Sequence, residues 1–197
     1  MEPDADSFSR TLARLYHSHH ATDNAVEGPY RQAVAELFRY LREPAVLIGG
    51  LGYNHYVDRP RGTADIDIAV ATTTAYVEIA EQIRPAFQLT GPTTFVHSVT
   101  GLPVDFIDPR LGGRMAGFAV RDPNTILLDD VTVPIAKPEW IIGLKLRRAI
   151  GRSAEARQDQ ADIIKLMEAT RPELKVIVPL LTHEQFDLLR ELESEAE

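Results

Sequence analysis

The chain has 197 residues, none of them cysteine, with 44% hydrophobic and 25% charged residues and a formal net charge of −8. That is the make-up of an ordinary globular protein, long enough to bury a core as one domain or one domain with a small appendage. It excludes a disulfide framework and thiolate chemistry, an apolar run of the ~20 residues needed to span a bilayer, and attraction of nucleic acid through overall charge. The acidic start Met1-Glu2-Pro3-Asp4 is unlike a signal peptide, so the expectation is a cytoplasmic protein with no membrane partner.

The segment up to about Asp23 reads as a short helix carrying His17, His19 and His20, surface histidines whose spacing matches no closed zinc site. From Glu27 to Arg42, Val34, Leu37, Phe38 and Leu41 recur at three- and four-residue steps, the mark of an amphipathic helix, and Pro44 follows as a stop. Ala45 to Ile48 reads as a buried strand ended by Gly49-Gly50, Leu51 to Val57 as a helical stretch, and Arg59 to Gly62 as a loop. Ile66, Ile68 and Val70 alternate with Asp65, Asp67 and Ala69, which is strand periodicity. A helix follows over Thr74–Arg84, then strands at Phe87–Leu89, Phe95–His97 and Val104–Ile107. A hairpin is expected around Asp129-Asp130, between Thr125–Leu128 and Val131–Ile135. Helices over Pro138–Ile150, Glu155–Ala169 and Thr182–Glu195 finish the chain, the last with Thr182 and Gln185 at capping-box spacing. The charge is uneven: the stretch from Glu184 to Glu197 is acidic, whereas Lys137, Lys145, Arg147, Arg148, Arg152 and Arg157 form a basic segment. That segment reads either as a solvated helix face or as a local basic surface.

Asp65 and Asp67 carry the chemistry. Residues two apart on a strand share a face, and two like charges ~4 Å apart repel by about 4 kcal/mol at an effective dielectric of 20. A shared proton or a cation can offset that, and hard cations such as Mg²⁺ favour carboxylate oxygens and keep substrate phosphates as further ligands. A second strand brings in Asp105 between Val104 and Phe106, a third carboxylate fit for a second metal and for taking a proton from an attacking hydroxyl. Glycines such as Gly49 and Gly50 permit close backbone approach at a helix start, where amides suit a phosphate.

Ile48-Gly49-Gly50-Leu51 followed by Arg61-Gly62-Thr63-Ala64-Asp65-Ile66-Asp67 resembles the signature of the nucleotidyltransferase superfamily, most closely its abortive-infection (type IV toxin) branch. The likeness continues through Val104-Asp105-Phe106, through the helix of Pro138-Glu139-Trp140 to Lys145, and through Arg157-Gln158-Asp159-Gln160-Ala161-Asp162-Ile163, and so spans Ala45 to Met167. The resemblance implies an α+β fold, a small mixed sheet flanked by helices. Residues 1–136 would form the N-terminal helices and the α/β core, and residues 137–197 a helical part packed on it. It also implies transfer of a nucleoside monophosphate from an NTP to an RNA, protein or small-molecule acceptor, in a toxin-like role against tRNA or a protein and with a partner or antitoxin protein. Asp65, Asp67 and Asp105 would then be catalytic and hold one or two Mg²⁺ ions, with Asp105 activating the acceptor. Gly49 and Gly50 would cradle the triphosphate, Lys145 would meet a phosphate, and Arg61 and Thr63 would orient the acidic loop or touch phosphate. Asp108 is the weaker candidate for the third carboxylate, since it leaves the strand. Two departures accompany the resemblance. Many active members have Gly-Ser in place of Gly49-Gly50, and Gln158 stands where the branch often has a basic residue. Asp159 and Asp162 read as a surface ion-pair network with Arg157, and Trp140 as a core residue. The competing readings are a catalytically inactive nucleotidyltransferase-fold binding module and an interaction protein with an accidental acidic strand.

Overall fold

The computed structural model describes residues 27–59, 61–70, 76–107 and 109–196. The helix expected up to Asp23 with its three histidines, the first residues of the helix expected from Thr74, Pro60 and Asp108 lie outside them.

Helix α1 (Glu27–Tyr40) places Val34 and Leu37 fully inside and ends ahead of Pro44. Strand β1 (Ala45–Leu47) is buried along its whole length, and α2 (Gly49–Asn54) begins one residue later. Then come β2 (Ile66–Val70), α3 (Tyr76–Ile83), β3 (Phe87–Leu89), β4 (Thr94–His97) and β5 (Pro103–Ile107). Helix α4 (Pro109–Arg121) is absent from the sequence-based expectation. Its glycines hide it: Gly113 takes φ +59 and ψ −152, which breaks the helical path partway along. The hairpin β6 (Asn124–Leu128) and β7 (Val131–Ile135) turns at Asp129, whose φ of +57 is a left-handed conformation that aspartate tolerates. Helices α5 (Pro138–Ala149), α6 (Ala154–Thr170) and α7 (His183–Ala196) follow, with two short 3₁₀ turns between the last two. Pro138 sits at the start of α5, where its missing N–H costs nothing. Ser153 caps α6 by accepting from the Ala156 amide. The capping box forms: Thr182 Oγ1 accepts from the Gln185 amide and Gln185 Oε1 from the Thr182 amide.

The strands form one mixed sheet of seven in the order β3-β4-β5-β2-β1-β7-β6. β2 runs parallel to β5 and β1 parallel to β7, and the remaining pairs are antiparallel. Alternation along the strands feeds two cores. Leu47, Ile66, Ile68, Val104 and Phe106 join the apolar side chains of α1 and α3 on one face. Val46 and Ala69 join Ala116, Ile141, Leu166 and Leu189 of α4 to α7 on the other. Asp67 and Asp105, flanked on their strands by residues of the first core, therefore face the layer of α4 to α7. No helix among the described residues is long and apolar enough to cross a membrane.

Candidate active site

Asp67 on β2 and Asp105 on β5 are register partners in the parallel pair. Neighbouring strands lie about 4.8 Å apart, so the two side chains emerge side by side on one face. Asp65 lies one residue ahead of β2 rather than on it, because the strand begins at Ile66. The Thr63 hydroxyl donates to Asp65 Oδ1 at 2.9 Å, a local side-chain bond that competes with extending the ladder. Asp105 is fixed in the same manner. Its register partner on β4 is Thr94, whose hydroxyl donates to Asp105 Oδ1 at 2.5 Å.

The two glycines fit against this acidic group. β1 hands its pairing on to the Ile48 amide, which donates to the Asp67 carbonyl at 3.0 Å and brings Gly49 over the Asp67 side chain. A Cβ at Gly49 would stand 1.7 Å from Asp67 Oδ2, and the φ of +61 there is unfavourable to any other residue. A Cβ at Gly50 would stand 2.6 Å from the Thr63 hydroxyl. The close approach these glycines permit is thus to the chain's own Asp67 and Thr63. A serine at position 50 would press on Thr63, which gives Gly50 a packing reason.

Asp67 bears the electrostatic cost. Burial first, and then the charges of Asp65 and Asp105, push its carboxyl up from 3.8 to about 6, while Arg148 and Lys145 pull the other way. A cavity of about 720 Å³ opens beside it, lined by Asp67 and Asp105 from the sheet and by Arg114, Met115, Leu144 and Arg148 from the helices. Gly49, Gly50, Arg61, Thr63, Asp65 and Lys145 lie outside its lining. Among the described residues no three His, Cys, Asp or Glu side chains form a ready-made metal cage, and the Thr63 and Thr94 hydroxyls engage one oxygen each of Asp65 and Asp105. The donor set still suits Mg²⁺, which is held by one or two carboxylates plus substrate phosphates and not by an all-protein cage.

Lys145 lies 8% exposed, with Nζ 2.6 Å from Asp159 Oδ1 and 2.8 Å from Asp162 Oδ2. Arg61 Nε lies 2.9 and 3.1 Å from the two oxygens of Asp162. Asp159 and Asp162 are therefore not the surface network expected from the sequence. They are 4% and 0% exposed, and Arg157, on another side of α6, instead donates to the Arg152 carbonyl. The reason is helical phase: Ile163 and Leu166, each four residues on, share the buried face. Gln158 joins them by donating to Asp162 Oδ1 at 2.8 Å. The basic segment divides, with Lys145 inside, Arg147 and Arg148 exposed at the cavity, and Lys137 paired with Asp122. Trp140 is a core residue, stacked on Phe118 of α4 with ring centroids 5.3 Å apart.

The chain is similar to the crystal structure of an antigenic nucleotidyltransferase-like protein from Paracoccidioides brasiliensis, with a TM-score of 0.64 over 84% of this chain and 87% of that one. The fold is nucleotidyltransferase-like. At 16% identity the likeness is one of fold. No family model and no curated protein matches the sequence. In this nucleotidyltransferase-like frame, Asp67 and Asp105 occupy adjacent central strands, and the cavity they open on lies under the C-terminal helices. Helix α4, missing from the sequence reading, supplies Arg114 and Met115 to its wall. The signal for α4 was present as Pro109 at its start and Met115, Ala116, Ala119 and Val120 at helical spacing.

Proposed function

We propose that the chain is a Mg²⁺-dependent nucleotidyltransferase that moves a nucleoside monophosphate from an NTP to an acceptor hydroxyl. The observation that carries this reading is the Asp67–Asp105 register pair, with Asp65 close enough to raise Asp67 and a cavity beside it. Three carboxylates in one partly buried group are unfavourable in isolation, and a site for a divalent cation and a polyphosphate gives them a use. Asp65, Asp67 and Asp105 would hold the Mg²⁺; when bound, it supplies charge neutralisation and polarisation at the transferring phosphoryl group. Asp105, its Oδ1 already engaged by Thr94, offers Oδ2 to the proton of the acceptor hydroxyl. Arg148 and Lys145, which act on Asp67 through their fields, counter the charge that develops as pyrophosphate departs. The Gly49 and Gly50 amides and Thr63 serve the triphosphate in this reading, and Arg61 orients the acidic loop.

The acceptor is an RNA end, a protein hydroxyl or a small molecule. A toxin-like role in the cytoplasm with a neutralising partner protein rests on the resemblance to the abortive-infection branch. All three carboxylates are retained, which speaks against an inactive binding module. The test is transfer of α-labelled NTPs, each offered separately with Mg²⁺ and with total tRNA, lysate or the protein itself as acceptor. Label transferred by the wild type and lost in the Asp65→Asn/Asp67→Asn variant is expected. No label in any mixture, with no Mg²⁺-dependent NTP binding, would move the assignment to the binding module.

A further inference from the structure

The loop that delivers Asp65 has no regular structure of its own: residues 61–65 lie between α2 and β2 without helix or strand. Something else must set its path, and the contacts at its first residue identify what does. Arg61 is gripped at its backbone by Asn54, a fully buried side chain at the end of α2. Asn54 Nδ2 donates to the Arg61 carbonyl and Asn54 Oδ1 accepts from the Arg61 amide, both at 2.9 Å. The Arg61 side chain then crosses the Tyr53 ring and reaches Asp162 on α6, which lies 101 residues away in the sequence. Its Nη1 turns back to donate to the Gly62 carbonyl at 3.0 Å. Two residues on, the Tyr30 hydroxyl donates to the Thr63 carbonyl at 2.7 Å, and the Thr63 hydroxyl donates to Asp65.

Asp162 has no capacity left for a ligand. It is 0% exposed, its Oδ1 meets Arg61 and Gln158, and its Oδ2 meets Arg61 and Lys145. It does not line the cavity. Buried ion networks of this kind add little to stability over a well-packed apolar cluster, because both charges must leave water. What such a network adds is a fixed geometry, since a carboxylate held by four donor contacts allows its partners one arrangement.

We propose that Asp162 is a positioning residue, which holds the acidic loop through Arg61 and so sets where Thr63 and Asp65 stand relative to Asp67. Lys145 shares Asp162 Oδ2 with Arg61 and completes the clamp. Helix α6 is thereby part of the catalytic apparatus without touching substrate. This inference rests on the nucleotidyltransferase reading for its effect on the reaction, but its structural half can be tested without any activity.

The experiment compares wild type, Asp162→Asn and Arg61→Met/Asp162→Leu by amide hydrogen exchange with no metal or nucleotide added, and by the Mg²⁺ dependence of labelled transfer. The double variant removes both charges and leaves Lys145 with Asp159, so it folds even if the single variant does not. In both variants the amides of residues 61–65 are expected to exchange about tenfold faster or more while those of Ile68 to Val70 are unchanged. The Mg²⁺ concentration for half-maximal transfer is expected to rise about tenfold, with the rate recovering in excess Mg²⁺, a recovery that general instability would not give. Unchanged exchange at 61–65 would overturn the proposal, as would a rate loss that follows melting temperature and is not restored by Mg²⁺. If the wild type transfers nothing, the nucleotidyltransferase reading fails, and the exchange measurement alone still decides whether Asp162 holds the loop.

Discussion

Two groups of aspartates lie close together in this molecule and live under opposite rules. Asp67 and Asp105 line the cavity and Asp65 lies close enough to raise Asp67, with threonine hydroxyls and glycines packed against the three. Asp159 and Asp162 lie deeper and are matched by Lys145, Arg61 and Arg148. In the first group, burial and like charge raise Asp67 to about 6, so the folded chain holds a carboxylate that binds a proton more tightly than a free aspartate does. In the second, each charge lost from water is met by a cation at hydrogen-bond distance. The second group is matched charge for charge, and the first is not. The difference teaches that carboxylate density alone does not mark a site; what sets this one apart is that Arg148 and Lys145 act on Asp67 only through their fields, while Lys145 is bonded to Asp159 and Asp162.

The largest effect is expected where matching is removed. Lys145→Met leaves Asp159 and Asp162 short of a counter-ion in a buried place, and such a break costs about 3–5 kcal/mol. Chemical denaturation of Lys145→Met should show that loss, and the double variant Lys145→Met/Asp159→Leu should recover part of it because one unpaired charge leaves with its partner. A single variant as stable as wild type would mean that the network is not matched in the way its distances imply. The opposite sign is expected at the cavity. Asp67 binds a proton more readily folded than unfolded between pH 3.8 and about 6, so it lowers stability as pH rises through that window. Asp67→Asn removes that cost and should stabilise the metal-free protein at pH 7 by at most about 3 kcal/mol, since each tenfold change in proton affinity is worth about 1.4 kcal/mol. The gain should vanish near pH 4, and transfer should be lost. A melting temperature that falls instead would make Asp67 a structural residue.

The sequence made the first group readable and the second nearly invisible, for a physical reason. Asp67 and Asp105 each alternate with apolar strand residues at period two, so the face each takes on its own strand follows from local geometry. Their side-by-side placement comes from the β2–β5 register, and Asp65 lies just ahead of the strand. Asp159 and Asp162 depend on partners 101 residues back in one case and on α5 in the other. Nothing local distinguishes them from a solvated helix face except that Ile163 and Leu166 continue their side of α6. The role of Gly49 was half legible. A strained backbone after a strand could be suspected, but that Asp67 occupies the space of its missing Cβ could not. Helix α4 was lost because a glycine with φ +59 interrupts a pattern that helix periodicity alone does not bridge.

The smallest effect tests whether distance or solvent governs these pairs. Arg39 and Asp130 approach to 2.5 Å, closer than Lys145 approaches either of its aspartates, yet their side chains are 44% and 78% exposed. Hydrogen bonding from Arg39 holds the Asp130 carboxyl below its ordinary value. Whatever stability that gives is present at neutral pH and lost as pH falls through the lowered value. Water and salt weaken such a pair, and the two flexible side chains lose freedom in making it. Asp130→Asn should therefore move the melting temperature by no more than about 2 °C at pH 7 in physiological salt. A drop comparable to that of Lys145→Met would show that contact distance, and not the water around the charges, sets the worth of an ion pair in this protein.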